Sequence, residues 1–263
     1  MTTTRKKIKL ETKNLSKSFG SKVVLHGLDL KVRENESLVV LGGSGSGKSV
    51  LIKTIVGLLK PSSGKVLLDG DNITDLDNKS RNNLMSRFGF LFQGGALFDS
   101  LTVWENIAFY LIHNKYIEEA EARKIAEEKL SIVGLGKGVL DLFPSELSGG
   151  MKKRVALARA IANDPEVIFF DEPTTGLDPI MKNVISDLIA KFRNEFGATT
   201  VTITHDIDTV KTIATKVALL HKGKIAWTGK SKDIYDSGNK IFDQFIHGRV
   251  SGPIKVEGVH EKD

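Results

Sequence analysis

Ser37-Leu38-Val39-Val40-Leu41-Gly42-Gly43-Ser44-Gly45-Ser46-Gly47-Lys48-Ser49-Val50 is the stretch on which the fold turns. Its first five residues form an apolar run of strand length, and its middle is rich in glycine. Helical apolar spacing then covers residues 50–58 until Pro61-Ser62-Ser63-Gly64 stops it. Strand, Gly-x4-Gly-Lys-Ser loop and helix, in that order, are the context in which a chain cradles phosphate. The glycines let successive backbone N–H groups curl around an anion, while the helix that Val50 continues points its positive end at the same place. Lys48 is the group to reach β and γ phosphates, and the Ser49 hydroxyl is the group to ligate Mg2+. Gly42 to Val50 are therefore candidate ligands of ATP.

Working outward, residues 8–12, 23–25 and 28–32 read as short strands, punctuated by Phe19-Gly20 and Gly27. Residues 66–68 and 88–92 are further strands. A helix over 118–133 has Ala122, Ala126, Leu130 and Val133 on one face, acids in its first turn and Gly134 at its end. A second helix covers 151–162. Strand runs return at 167–170, 200–204 and 216–220, with a helix over 182–195. The pattern is an α/β core interrupted by a mostly helical insert, and such alternation implies a largely parallel, doubly wound sheet.

Val167-Ile168-Phe169-Phe170-Asp171-Glu172 is the second anchor. An apolar strand that ends in two carboxylates needs a partner for them, because a buried charge must be compensated. Asp171 is placed to face Mg2+, and Glu172 to orient or deprotonate an attacking water. Gln93 ends the 88–92 strand, with an amide suited to both metal and water. Leu147-Ser148-Gly149-Gly150-Met151 precedes a helix and offers backbone N–H groups and a helix N-terminus, a second anion site. The phosphate loop already grips one face of the nucleotide, so this second site is best explained as acting across a dimer.

These pieces, in this order, resemble the ABC ATPase family over about residues 9–236. The resemblance implies a RecA-like P-loop core with a mostly parallel sheet, an N-terminal antiparallel β patch and an inserted helical subdomain. The expected division is an ATPase domain over 1–239, with its core at about 1–93 and 155–239 and its helical subdomain at about 94–154, then a tail over 240–263. It also implies that the signature of one subunit, Ser148-Gly149-Gly150, closes over ATP held by the other. Asp178, in Gly176-Leu177-Asp178, lines that interface; His205 holds the γ-phosphate and the water; Phe19 stacks on the adenine. Most of the family has glutamine where this chain has Met151. The phosphate contacts come mainly from Ser148 and backbone amides, so catalysis should survive that departure.

Gln93-Gly94-Gly95-Ala96-Leu97-Phe98, Leu101-Thr102-Val103-Trp104-Glu105-Asn106 and the methionine-ended signature look like the Mla-type, Mce-associated ATPases. That closer resemblance implies phospholipid movement in maintenance of a bacterial outer membrane. It implies a homodimer on the cytoplasmic face of the inner membrane, an integral-membrane permease, an Mce-type lipid-binding protein and a further small regulatory subunit. Two other readings stay open, a transporter of another cargo and a soluble non-transport ABC ATPase.

Composition narrows these choices. With no cysteine, disulfides, thiol nucleophiles and cysteine-ligated metals are excluded. No eighteen-residue apolar run exists, so any channel must come from another polypeptide. The net charge of +6 invites a nucleic-acid reading, but the basic residues are scattered and not interleaved with aromatics, so no nucleic-acid partner is expected. A general excess of surface lysine accounts for the charge, with its positive end facing anionic lipid headgroups. Lys152-Lys153-Arg154 reads as a solvated helix face, and Trp104 and Trp227 as packing residues. In the tail, Ile241, Phe242, Phe245 and Ile246 form a short apolar stripe that Gly248 ends. Three readings stay open for this tail: it covers its own domain, it packs on a partner subunit through an extended arm carrying Ile254 and Val256, or it is disordered.

Overall fold

The structure, a computed structural model, describes residues 6–255. The chain divides into two compact units, one of residues up to Asp75 together with those from Ile203 onward, the other Leu76–Thr202.

In the first unit, β1 (Ile8–Phe19) and β2 (Lys22–Arg33) make one long hairpin. Sequence reading had split β2 at Gly27. The glycine instead bulges the strand, at φ +65°, and its N–H donates to the Ser16 hydroxyl at 2.9 Å. The β3 strand (Ser37–Leu41) is buried at every residue and feeds the phosphate loop, after which comes α1 (Lys48–Ile55). Two more strands, β4 (Ser63–Leu68) and β5 (Asp71–Asn72), join β1 and β2 in an antiparallel sheet of order β2-β1-β4-β5. Alternate residues of these strands, Leu10, Leu28, Leu30, Val66 and Leu68 among them, form its buried face.

The second unit opens with α2 (Asn78–Met85) and β6 (Phe88–Leu91). Three helices follow, α3 (Val103–Lys115), α4 (Glu119–Ile132) and α5 (Gly149–Ala160), and they pack on one another. Their shared core includes Ile107, Leu111, Ala122, Ala126, Leu130, Ala156 and Leu157. Short 3₁₀ turns at Lys137–Val139 and Pro144–Glu146 lead into α5. The β7 strand (Val167–Asp171) pairs parallel with β6, register Phe88↔Val167 to Leu91↔Phe170. Next is α6 (Pro179–Phe196), capped by Asp178 at its start, with Pro179 in its first turn and Gly197 at φ +66° closing it.

The β8 strand (Thr199–Thr204) brings the chain back to the first unit, where α7 (Ile207–Ile213) precedes β9 (Lys216–His221). The β9 strand runs parallel to β3, and β10 (Lys224–Lys230) returns antiparallel to β9. A 3₁₀ turn at Ser231–Asp233 and α8 (Lys240–His247) follow.

The tail stripe covers its own domain. Phe242 is 0% exposed and its ring stacks on Trp227 of β10 at 4.1 Å between centroids. Buried Gln244 folds the following residues back: its Nε2 donates to the carbonyls of Arg249 and Ile254, and its Oε1 accepts from the Ile254 N–H. The extended arm therefore does not begin at Ile254, and Val256 lies outside the described residues. Among the described residues, no helix is long and apolar enough to cross a membrane.

Candidate functional site: a phosphate loop and a signature-bearing helix

The first unit carries the phosphate loop. Gly47 is the N-cap of α1 at φ +104°, a left-handed conformation that favours glycine. A Cβ on Gly42 would lie 2.5 Å from the Leu220 carbonyl of β9, so only glycine lets the loop leave β3 this closely. Gly43, Ser44 and Gly45 are exposed at the loop's crest. The Lys48 ammonium turns back over the loop, donating to the carbonyls of Gly42 (2.7 Å) and Gly43 (3.1 Å). That places a cation above a cradle of backbone amides, at the N-terminus of an eight-residue helix. Phe19 lies at the hairpin turn, is 47% exposed, and has the Lys17 ammonium 5.0 Å from its ring centroid. His205 is exposed at the end of β8. The next residue, Asp206, caps α7 by accepting from Asp208 and Thr209 N–H.

The second unit carries the other candidates. Asp171 is the last residue of β7, and Glu172 follows at φ +48°. A left-handed backbone at a non-glycine residue costs about 1–3 kcal/mol and persists where the surroundings hold it. Glu172 is also only 8% exposed, and its Oε2 accepts from the Thr175 hydroxyl at 3.2 Å. A carboxylate that is both buried and held in strain is costly for stability alone, which makes it a candidate for chemistry.

Ser148 and Gly149 are exposed, and the Ser148 hydroxyl caps α5 by accepting from the Met151 N–H at 3.3 Å. Gly150 packs so closely on Met181 of α6 that a Cβ there would meet its side chain at 2.8 Å. Asp178 likewise has a local task, accepting from the Met181 N–H at 3.0 Å to cap α6.

Gln93 lies just past β6, and here the structure corrects the reading of residues 152–154. Lys153 is not on a solvated face. It is 7% exposed and donates its ammonium to the Gln93 carbonyl. Burial pushes its pKa below the usual lysine value, and the Asp171 and Glu172 carboxylates pull it back up. Arg154 is half-buried and donates to the Gly134 carbonyl at 3.0 Å. The missed signal was positional: Lys153 stands three and four residues before Ala156 and Leu157, on the buried stripe of α5.

Beside this loop an apolar groove of about 450 Å³ is lined by Phe90, Phe92, Ala96, Phe98, Phe109 and Tyr110, among others. Asn106, fully buried in α3, holds the groove's loop: it accepts from the Phe98 N–H at 2.8 Å and donates to the Phe98, Leu101 and Thr102 carbonyls.

The metal candidates Ser49, Gln93 and Asp171 offer oxygen donors alone, the kind Mg2+ takes. Among the described residues no group of three or more His, Asp or Glu could hold a metal by itself.

The family model described as ABC transporter matches residues 25–175. The chain belongs to the ABC transporter family. Along with that model, this ABC ATPase is 39% identical to the intermembrane phospholipid transport system ATP-binding protein MlaF of Haemophilus influenzae, over 94% of each chain. It is also 39% identical to the probable ribonucleotide transport ATP-binding protein mkl of Mycobacterium leprae, over 97% of this chain and 73% of that one. Among solved structures, the dimeric ATP-binding cassette MJ0796 bound to ADP and Pi superposes with a TM-score of 0.77 at 34% identity. It covers 84% of this ABC ATPase and 98% of its own chain. The RecA-like α/β class expected from sequence is that of these cassettes.

Proposed function

We propose that this ABC ATPase hydrolyses ATP as one of two identical subunits that drive a membrane permease moving phospholipid, in maintenance of a bacterial outer membrane. The observation that carries the cargo is the end-to-end match to MlaF, which spans 94% of both chains. The mkl match, named for another cargo, covers a smaller share of its relative. In this reading the amides of Gly42 to Gly47, with Lys48, Ser49 and Val50, bind the phosphates, and Phe19 stacks on the adenine. Ser49, Gln93 and Asp171 would hold Mg2+, which would supply positive charge against the β and γ phosphates. Glu172 takes the proton of the attacking water, and His205 and Gln93 orient that water. Ser148, Gly149 and Gly150 contact the ATP of the partner subunit, and Asp178 lines the interface.

The apolar groove that follows Gln93 is the docking place for the permease, and the helical insert over 94–154 is the part that conveys motion to it. An Mce-type lipid-binding protein and a small regulatory subunit complete the assembly at the cytoplasmic face of the inner membrane. A tagged copy purified from detergent-solubilised membranes tests this. Recovery of one permease together with an Mce-type protein and phospholipid supports the reading, and recovery of a permease for another solute overturns the cargo.

A further inference from the structure

Lysine is among the side chains least suited to burial, yet Lys153 occupies the inner stripe of α5 and donates to the Gln93 carbonyl. That carbonyl lies beyond the end of β6. Six residues further along α5, Arg159 does the same for the next residues. Its Nη2 donates to the Gly95 carbonyl at 2.6 Å and its Nη1 to the Ala96 carbonyl at 2.8 Å, and its guanidinium lies 6.0 Å from the Phe98 ring centroid. The segment so held turns through two left-handed residues, Gly95 at φ +78° and Ala96 at φ +48°, of which Ala96 is strained. For Ala96 that conformation persists only where the surroundings impose it. Three carbonyls of one short loop are thus gripped by two cations of a single helix, the helix that Ser148 caps.

We propose that Lys153 is a positioning residue for Gln93, with Arg159 as its second anchor. Together they moor residues 93–96 to α5, so that the Gln93 amide and the Ser148 hydroxyl ride on one rigid piece. The inference rests on the role given above to Gln93 at the ion and the water. Lys153 touches neither; it acts by fixing the backbone from which the Gln93 side chain projects.

The test uses the full chain with Lys153→Met, which keeps length and loses the ammonium, and Lys153→Arg, which keeps the charge. Hydrogen exchange reads the mooring without turnover. The Gly95 N–H, bonded to the Phe92 carbonyl at 2.8 Å, is expected to exchange about tenfold faster in Lys153→Met. The Phe98 N–H, held by Asn106, keeps its rate. ATP turnover falls by up to about 10²-fold with the KM for ATP unchanged, and Lys153→Arg restores both exchange and turnover. Because Lys153 acts through Gln93, Lys153→Met with Gln93→Ala is no slower than Gln93→Ala alone.

Unchanged Gly95 exchange in Lys153→Met, or losses that add in the double variant, overturns the proposal. If Gln93→Ala by itself costs no activity, the role of Gln93 fails, and the exchange measurement still decides the mooring. Should Lys153→Met not fold, Lys153→Gln, whose polar head falls short of the carbonyl, takes its place in the same cycle.

Discussion

Glu172 combines two properties that stability alone would not select, burial of a carboxylate and a left-handed backbone. Its position after an apolar strand was legible in sequence because such a strand ending in two acids has few structural uses. Its strain was not, since backbone angles follow from the turn Glu172-Pro173-Thr174-Thr175 rather than from residue type. Replacing it separates chemistry from binding. In Glu172→Gln, steady-state ATPase activity is expected to fall roughly 10²–10⁴-fold, the usual worth of a positioned base. Fluorescent-nucleotide titration should find ATP affinity nearly intact. Lys48→Ala does the reverse in that titration, weakening nucleotide binding itself, because the ammonium over the Gly42 and Gly43 carbonyls is then gone. Lys153 marks where residue-level reading failed. Residues 152–154 do not share one face, because a helix turns each member of a basic run to a different side.

At the scale of elements, β3, β7 and the helices α4 and α5 were legible because apolar pattern and caps agreed with each other. The α3 helix was missed, although Thr102 and Glu105 form a capping box at its start. Its apolar residues are crowded with aromatic and β-branched types, which blur a helical period. The α2 helix was missed for the opposite reason: Asn78–Met85 is nearly all polar, and only the Asp77 cap, accepting from the Ser80 N–H at 2.7 Å, announces it. The tail helix was legible as an element, but its partner was not, because a stripe does not say what it faces. Trp227 is the answer, and it has a consequence. Phe242→Ala should destabilise the protein by about 3–5 kcal/mol in urea titration, as for other buried phenylalanines. A loss below about 1 kcal/mol would mean that α8 is not part of the packed domain. Truncation after Asp236 exposes Trp227 and should lower stability as well.

For the whole molecule, the ATP held by Lys48 of one subunit is expected to be closed over by Ser148 of its partner. The phosphate loop already grips one face of the nucleotide, which is why a second anion site at Ser148 speaks for a pair. The exposed Ser148 and Gly149 fit a surface that waits for a partner's phosphate. ATP supplies differential affinity for the closed pair, and hydrolysis removes it, so blocking hydrolysis should trap the dimer. Light scattering on the isolated Glu172→Gln subunit, with and without ATP, measures this most directly. The expected result is a monomer that becomes a dimer on adding ATP, and that stays a monomer when Ser148→Arg is added to Glu172→Gln. Equal ATP-driven dimerisation with and without Ser148→Arg would contradict the shared site.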